Sequence, residues 1–304
     1  MPYILIIPGL IILFFIWSYI EHKILVVSEY TVQSEAVGKD LCGLTFAVVA
    51  DLHNASFGKN GAGLVEKILA QKPEFVIIAG DMINKRKHCY PAKALDFIRE
   101  ISEHYPVYYA LGNHEQYFEE LKDIIYDDDF IQDEKNARLV RFYEEWVAYK
   151  DELKKLGVYL LDNCSMELMY KESRLAITGL SLGSGYYDRK NRQRPDKDTI
   201  ASLAGNRSRE GFQILIAHNP LFFPEYVSWG ADLVLSGHMH GGLVRLPIIG
   251  GIISPLFRLF PKYDAGLFNE NGHFMIISRG LGSHSNMPRF LNPPELVTVK
   301  LLGR

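Results

Sequence analysis

Cysteine is scarce: there are three in 304 residues, Cys42, Cys89 and Cys164, odd in number, far apart and without CxxC spacing. That excludes a disulfide framework and argues against a thiolate-rich structural zinc site. An excess of charge of either sign is missing too. Lys+Arg total 33 against Asp+Glu 36, a net charge of −3, so binding of nucleic acid by phosphate neutralisation is not expected. Internal repeats and low-complexity tracts are absent, as are the G-x-S-x-G elbow, the P-loop and the H-E-x-x-H helix, which removes the chemistries those motifs carry. At 48% hydrophobic and 23% charged residues, the composition is that of a folded chain long enough for one large core or two small ones. What is unusual is where its ten histidines fall.

Residues 2–20 (PYILIIPGLIILFFIWSYI) contain no charge. As a helix rising about 1.5 Å per residue they reach roughly 28 Å, the thickness of a hydrocarbon core. Trp17 and Tyr19 stand at one end and Tyr3 near the other, as interfacial aromatics do. No basic n-region precedes the run and no A-x-A site follows it. The segment is therefore expected to be a retained single-pass membrane anchor over residues 1–22 rather than a cleaved signal peptide. Lys23 is offset by Glu21, so the positive-inside rule leaves the side of the membrane open.

Beyond a linker and first strand at 23–43, short apolar, β-branched runs read as buried strands: 44–50 (LTFAVVA), 75–79 (FVIIA), 107–110 (VYYA), 175–178 (LAIT), 212–217 (FQILIA) and 233–235 (LVL). Helix-like segments at 63–71 and 92–103 separate the first three, which indicates a layered α/β fold for residues 44–304. Runs at 243–247, 274–278 and 296–301 lack long helices between them and suggest a second, more antiparallel sheet. The charged segment 117–155, with Asp127-Asp128-Asp129, is expected to be a solvated helical excursion, a lid over the site being the alternative.

In open α/β sheets ligands gather at the carboxyl ends of strands. Here those ends carry Asp51-Leu52-His53, Gly80-Asp81, Gly112-Asn113-His114-Glu115, His218-Asn219 and Gly237-His238-Met239-His240. Any one of these has an ordinary explanation as a turn, a helix cap or a half-buried histidine. Together they place five of the ten histidines at strand ends; His22, His88, His104, His273 and His284 follow no such pattern. In an extended segment, side chains at i and i+2 share a face, so Asp51 with His53, and His238 with His240, are expected to aim at one spot. A donor set of carboxylate, imidazole and amide without thiolate suits Mn²⁺, Fe or Zn²⁺.

The ordered motifs D-x-H, G-D, G-N-H-[DE], H and G-H-x-H resemble the calcineurin-like metallophosphoesterase superfamily over about residues 44–300. The apolar N-terminus, EYTV, GHMHGG and SRGLGSHSNMPRFLNPPEL are closer still to a membrane-associated bacterial branch. That branch includes phosphodiesterases and UDP-2,3-diacylglucosamine pyrophosphatase-like enzymes, although Met239 and Leu243 stand where it usually has Thr and Gln. The resemblance implies a four-layer α/β/β/α sandwich of two mixed sheets and a binuclear metal centre. Asp51, His53, Asp81 and His240 would hold one divalent ion, Mn²⁺ foremost. Asp81, Asn113, His218 and His238 would hold the other, with Asp81 bridging. A hydroxide between the ions would attack the phosphorus of a phosphodiester or pyrophosphate. His114 would serve the leaving group and Glu115 would orient His114.

Arg279 and Arg289 are candidates to hold a second phosphate or a diester oxygen. The apolar stretch 248–260 (IIGGIISPLFRLF) is expected to be a buried hairpin, an exposed lip that meets lipid being the alternative. In that alternative Arg245, Arg258 and Lys262 suit anionic headgroups. The basic loop 186–197 reads as merely solvated. The expectation is a membrane-bound phosphoesterase, with a lipid-linked substrate such as UDP-2,3-diacylglucosamine as the candidate. A non-catalytic tethered scaffold and a nuclease of the same superfamily are the alternatives, and oligomeric state is left open.

Overall fold

The computed structural model describes residues 3–85, 88–90, 92–127, 134–188, 193–208, 210–254, 257–283 and 288–304. Strands β1 (Val26–Ser34), β2 (Thr45–Val49), β3 (Val76–Ala79), β4 (Val107–Ala110) and β5 (Tyr159–Leu161) belong to one sheet. A second sheet holds β6 (Cys164–Tyr170), β7 (Ser173–Leu180), β8 (Phe212–Ala217) and β9 (Leu233–Ser236). Next come a small hairpin, β10 (Val244–Leu246) and β11 (Gly250–Ile253), then β12 (Gly266–Glu270), β13 (His273–Ile277) and β14 (Glu295–Gly303). The six-stranded orders are β1-β14-β2-β3-β4-β5 and β12-β13-β9-β8-β7-β6. In each, the central run is parallel: β2 to β5 in the first, and β13, β9, β8 and β7 in the second. The second sheet is thus not mainly antiparallel as expected; only β6 and β12, at its edges, run counter to their neighbours. The helices α6 (Lys197–Ala204) and α7 (Phe223–Trp229), eight and seven residues long, supply crossovers between its parallel strands.

Three apolar layers account for the stacking. Between the sheets lie Phe46, Val48 and Ile77 from one side and Ile177, Ile214 and Leu235 from the other. Alternate residues of the first sheet, such as Val49 and Ile78, turn outward onto α2 (Ala62–Gln71), α3 (Lys93–Ser102), α4 (Asn113–Ile125) and α5 (Glu134–Lys155). Leu215 and Val234 of the second sheet turn outward onto Ile200 of α6 and Phe223 of α7. The result is a helix–sheet–sheet–helix sandwich with two mixed sheets, as expected.

Two segments depart from expectation. The charged excursion is not merely solvated: α5 buries Phe142, Trp146, Tyr149 and Leu153 in the first core. Its charges occupy the opposite face. Asp128 and Asp129 lie outside the described residues. The stretch 248–260 is not a buried hairpin. Ile248, Ile249, Phe257, Leu259 and Phe260 are exposed, because the two short strands β10 and β11 form a separate sheet with no third strand. The strand expected within 23–43 is β1, and what the sequence did not indicate is its place at the sheet edge, parallel to β14.

The N-terminal run forms α1 (Tyr3–Glu21). Ile11, Leu13, Phe15 and Ile16 are exposed on it. Its last turns dock on the domain through buried Ser18 and Glu21. Among the described residues, no helix is long and apolar enough to cross a membrane.

Candidate metal centre

The ends of β2, β3, β4, β8 and β9 bring their side chains together at one edge of the sandwich. Around the Asp51 carboxylate, Oδ1 lies 3.3 Å from His240 Nε2, 3.6 Å from His218 Nε2 and 3.8 Å from His53 Nε2. Around Asp81, Oδ2 lies 3.2 Å from His218 Nε2 and 3.8 Å from the Nε2 atoms of both His53 and His114. Asn113 Oδ1 is 2.9 Å from His238 Nδ1. Donor atoms group as Asp51, His53 and His240 on one side and Asp81, His218 and His238 on the other, with Asp81 also reaching His53 and His114.

The convergence is not produced by extended backbone. Asp51, His53, Asp81, His238 and His240 have φ of 53°, 49°, 56°, 69° and 50°. The i, i+2 argument led to the right pairs for the wrong reason: each strand is followed at once by left-handed turns that fold its ligands back toward the sheet edge. Non-glycine residues rarely take that conformation and pay about 1–3 kcal/mol for it at functional sites. Glycine permits the closest approaches. Gly280 has φ 70°, and a Cβ there would come within 2.7 Å of Asp51 Cβ.

Hydrogen bonds to the outer ring nitrogens fix which nitrogen faces inward. His218 Nδ1 lies 2.7 Å from the Ala79 carbonyl and His53 Nδ1 3.3 Å from that of Ile83. A proton held on each Nδ1 leaves Nε2 as a lone-pair donor. His114 is reversed: its Nδ1 accepts from the Lys85 amide at 3.1 Å, so the neutral ring carries its proton on Nε2, the atom that faces Asp81. Asp81 Oδ1 in turn accepts from the His114 amide at 2.9 Å, at the first turn of α4, where the helix dipole favours an anion. Both oxygens of Asp51 accept from the His238 amide.

Burial and charge oppose each other here. Burial, with Asp81 nearby, pushes the Asp51 carboxyl up to about 7 against the pull of His218. Burial would raise Asp81 as well, but His114, His218 and His53 hold it well below the usual carboxylate range. Burial works against a charged His218, yet Asp81 and Asp51 raise that imidazole to about 10. Two buried carboxylates thus demand positive charge, which a proton or a divalent cation can supply. His218 Nε2 is buried and meets no acceptor in hydrogen-bonding geometry. That orphaned donor atom, with a set of imidazole, carboxylate and amide groups, fits divalent metal.

Glu115 does not orient His114 through any described hydrogen bond. Its fully buried carboxylate accepts from the amides of Asp81, Met82, Ile83 and Gly112 and from the Tyr109 hydroxyl. It holds the turn that carries Asp81; His114 is held instead by Lys85. The two arginines are likewise structural. Arg279 pairs with Glu295 at 3.0 Å and reaches Ser28. Arg289, buried, donates to the carbonyls of Gly280, Gly282 and Asn292. Both guanidinium groups are engaged within the protein by these contacts.

Two residues escaped the sequence reading. Asn292 donates to the His240 and Gly242 carbonyls at 2.6 and 2.7 Å and so supports the GHMH turn. Tyr187 stands edge-on to the His238 ring at 5.0 Å; the only signal for it was an aromatic pair opening a basic loop, of which residues 189–192 lie outside the described residues. Beside it a cleft of about 630 Å³ is lined by Tyr187, Arg194, His238, Arg258, Phe260 and Tyr263, among others. Residues 284–287 of the SRGLGSHSNMPRF motif also lie outside the described residues.

Known proteins are similar to this chain over most of its length. The chain is 24% identical over 317 residues to UDP-2,3-diacylglucosamine pyrophosphatase LpxG of Chlamydia trachomatis, covering 96% of this chain and 94% of that one. It is 22% identical over 286 residues to the uncharacterized metallophosphoesterase YkuE of Bacillus subtilis, covering 93% and 87%. To the phosphodiesterase YaeI of Escherichia coli it is 23% identical over 259 residues, covering 84% and 80%. Residues 44–242 match the family model described as calcineurin-like phosphoesterase, and the chain belongs to that family.

Proposed function

We propose that this metal-dependent phosphoester hydrolase cleaves a phosphodiester or pyrophosphate bond of a lipid-linked substrate and works at a membrane to which residues 2–20 anchor it. The observation that carries the catalytic half is the meeting of two His/Asp clusters at Asp81. Asp51, His53, Asp81 and His240 would hold one divalent ion, and Asp81, Asn113, His218 and His238 the other. The absence of thiolate makes Mn²⁺ the first metal to test, with Fe and Zn²⁺ next. When bound, such a pair would supply Lewis-acid polarisation of a phosphoryl group and would lower the pKa of a water nucleophile.

The remaining chemistry belongs to the chain. Lys85 keeps the His114 proton on Nε2, so the neutral ring can hydrogen-bond through it to charge that develops on the departing oxygen. Glu115 keeps the Asp81 turn from relaxing out of its left-handed conformation. The lipid half rests on the exposed apolar surface of α1 and of 248–260, and on what the LpxG relative is named for. An activity screen of the metal-reconstituted full chain in detergent tests the reading. Metal-dependent cleavage of phosphodiesters or pyrophosphates, faster for acylated than for small aryl substrates, is expected. Hydrolysis of phosphomonoesters alone, or of nucleic acid in preference to both, contradicts it.

A further inference from the structure

A second cleft, of about 610 Å³, lies on the other side of the centre, and α1 forms one of its walls. Phe15, Tyr19 and Lys23 line it at four-residue spacing, one face of the helix over successive turns. Opposite are Ser56, Phe57 and Lys93, and the candidate ligand His53 also borders the space. Its lining therefore combines three chemistries: a metal-site imidazole, two ammonium groups and an aromatic strip. The strip continues onto Ile11, Ile12 and Ile16, which are exposed on α1.

This wall is built in. A helix serving only as a tether has no use for a buried carboxylate, yet Glu21 is 3% exposed. It accepts from the Leu291 and Asn292 amides and from Trp17 Nε1 at 3.0 Å. Ser18 Oγ accepts from the Arg289 amide at 2.9 Å, and Phe14 stacks on Phe290 at 5.4 Å. Asn292 in turn braces the turn of His240. The helix end and the metal centre thus share one loop, 289–292, and the cleft between them has fixed sides.

We propose that this cleft binds the apolar arm of an amphiphilic phosphoester, with its phosphoryl group at the His53 end, Lys23 and Lys93 facing its negative charge, and its hydrocarbon chain lying along Tyr19 and Phe15. This rests on the phosphodiesterase reading above and adds where the tail goes. The tail runs along α1 rather than over the 248–260 lip.

The test uses a homologous series of alkyl 4-nitrophenyl phosphodiesters, from ethyl to decyl, with the Mn²⁺-loaded full chain in detergent. Water adds to phosphorus, the bond to the nitrophenyl oxygen breaks, and nitrophenolate is read by absorbance. The ratio of kcat/KM for the decyl ester to that for the ethyl ester is expected to exceed about tenfold, since buried methylenes add favourably. Tyr19→Asp, which sets a charge on the strip, and Ser56→Trp, which fills the cleft from an exposed position, should each lower that ratio at least about fivefold. Co-location of long esters with the protein in micelles would raise the parent ratio but leave it unchanged in the variants, and that result overturns the proposal. So does a parent ratio near one. Should Tyr19→Asp not fold, Ser56→Trp alone decides. If no ester releases nitrophenolate with metal present, the phosphodiesterase reading itself fails, an outcome distinct from loss of the chain-length effect.

Discussion

At the residue scale, the centre depends on the state in which each imidazole is held. His53 and His218 give up Nδ1 to backbone carbonyls, whereas His114 takes a backbone proton there. That one reversal separates an electron-pair donor from a hydrogen-bond donor among rings of the same type. His114→Ala is accordingly expected to lower kcat by about 10²–10⁴-fold with metal content unchanged by elemental analysis; an equal loss of metal would make His114 a ligand instead. Every candidate ligand was legible in the sequence, because a polar residue after a buried strand end has few other places to go. The left-handed backbone at Asp51, His53, Asp81, His238 and His240 was not, since i, i+2 spacing describes only extended chain. Glu115 was misread for a related reason: its partners are amides of residues 81–83, a pairing that no local spacing encodes.

Among the elements, strands were easier to read than helices. The runs ending in Asp51, Asp81 and His218 are nearly uniformly apolar, as strands covered on both faces must be. Helix α5 was taken for a solvated excursion because charge dominates its composition. Yet Phe142, Trp146, Tyr149 and Leu153 recur at spacings of four, three and four, a stripe facing inward, and Trp146 is fully buried. Its replacement by Ala should cost about 3–5 kcal/mol in chemical denaturation while activity per folded molecule is retained. A cost under about 1 kcal/mol would return α5 to the surface role first expected. The 248–260 stretch erred in the opposite sense. Apolar composition implied burial, but a two-stranded sheet has too little around it to cover Ile248 and Phe260.

On the scale of the whole molecule, the exposed apolar groups are concentrated on α1 and on residues 248–260, and two clefts flank the metal centre, one beside His238 and one beside His53. The proposed substrate, a phosphoester with one apolar arm, is matched to that distribution. The proposed membrane attachment through α1 is tested by vesicle flotation. Ile12→Asp with Ile16→Asp, each costing up to about 2.5–3.5 kcal/mol at bilayer depth, should release the chain into the soluble fraction. Continued flotation of the double variant would remove α1 as the anchor.

The central claim is that two divalent ions, held on either side of Asp81, perform the hydrolysis. It is tested most directly by titrating the metal-stripped full chain with Mn²⁺ while following bound metal and phosphodiester cleavage in the same samples. Binding should saturate at two equivalents per chain, as a two-metal site requires, with most activity appearing on the second, and Asp81→Asn should abolish both. Full activity at one equivalent, or cleavage that survives complete removal of metal, would contradict the account.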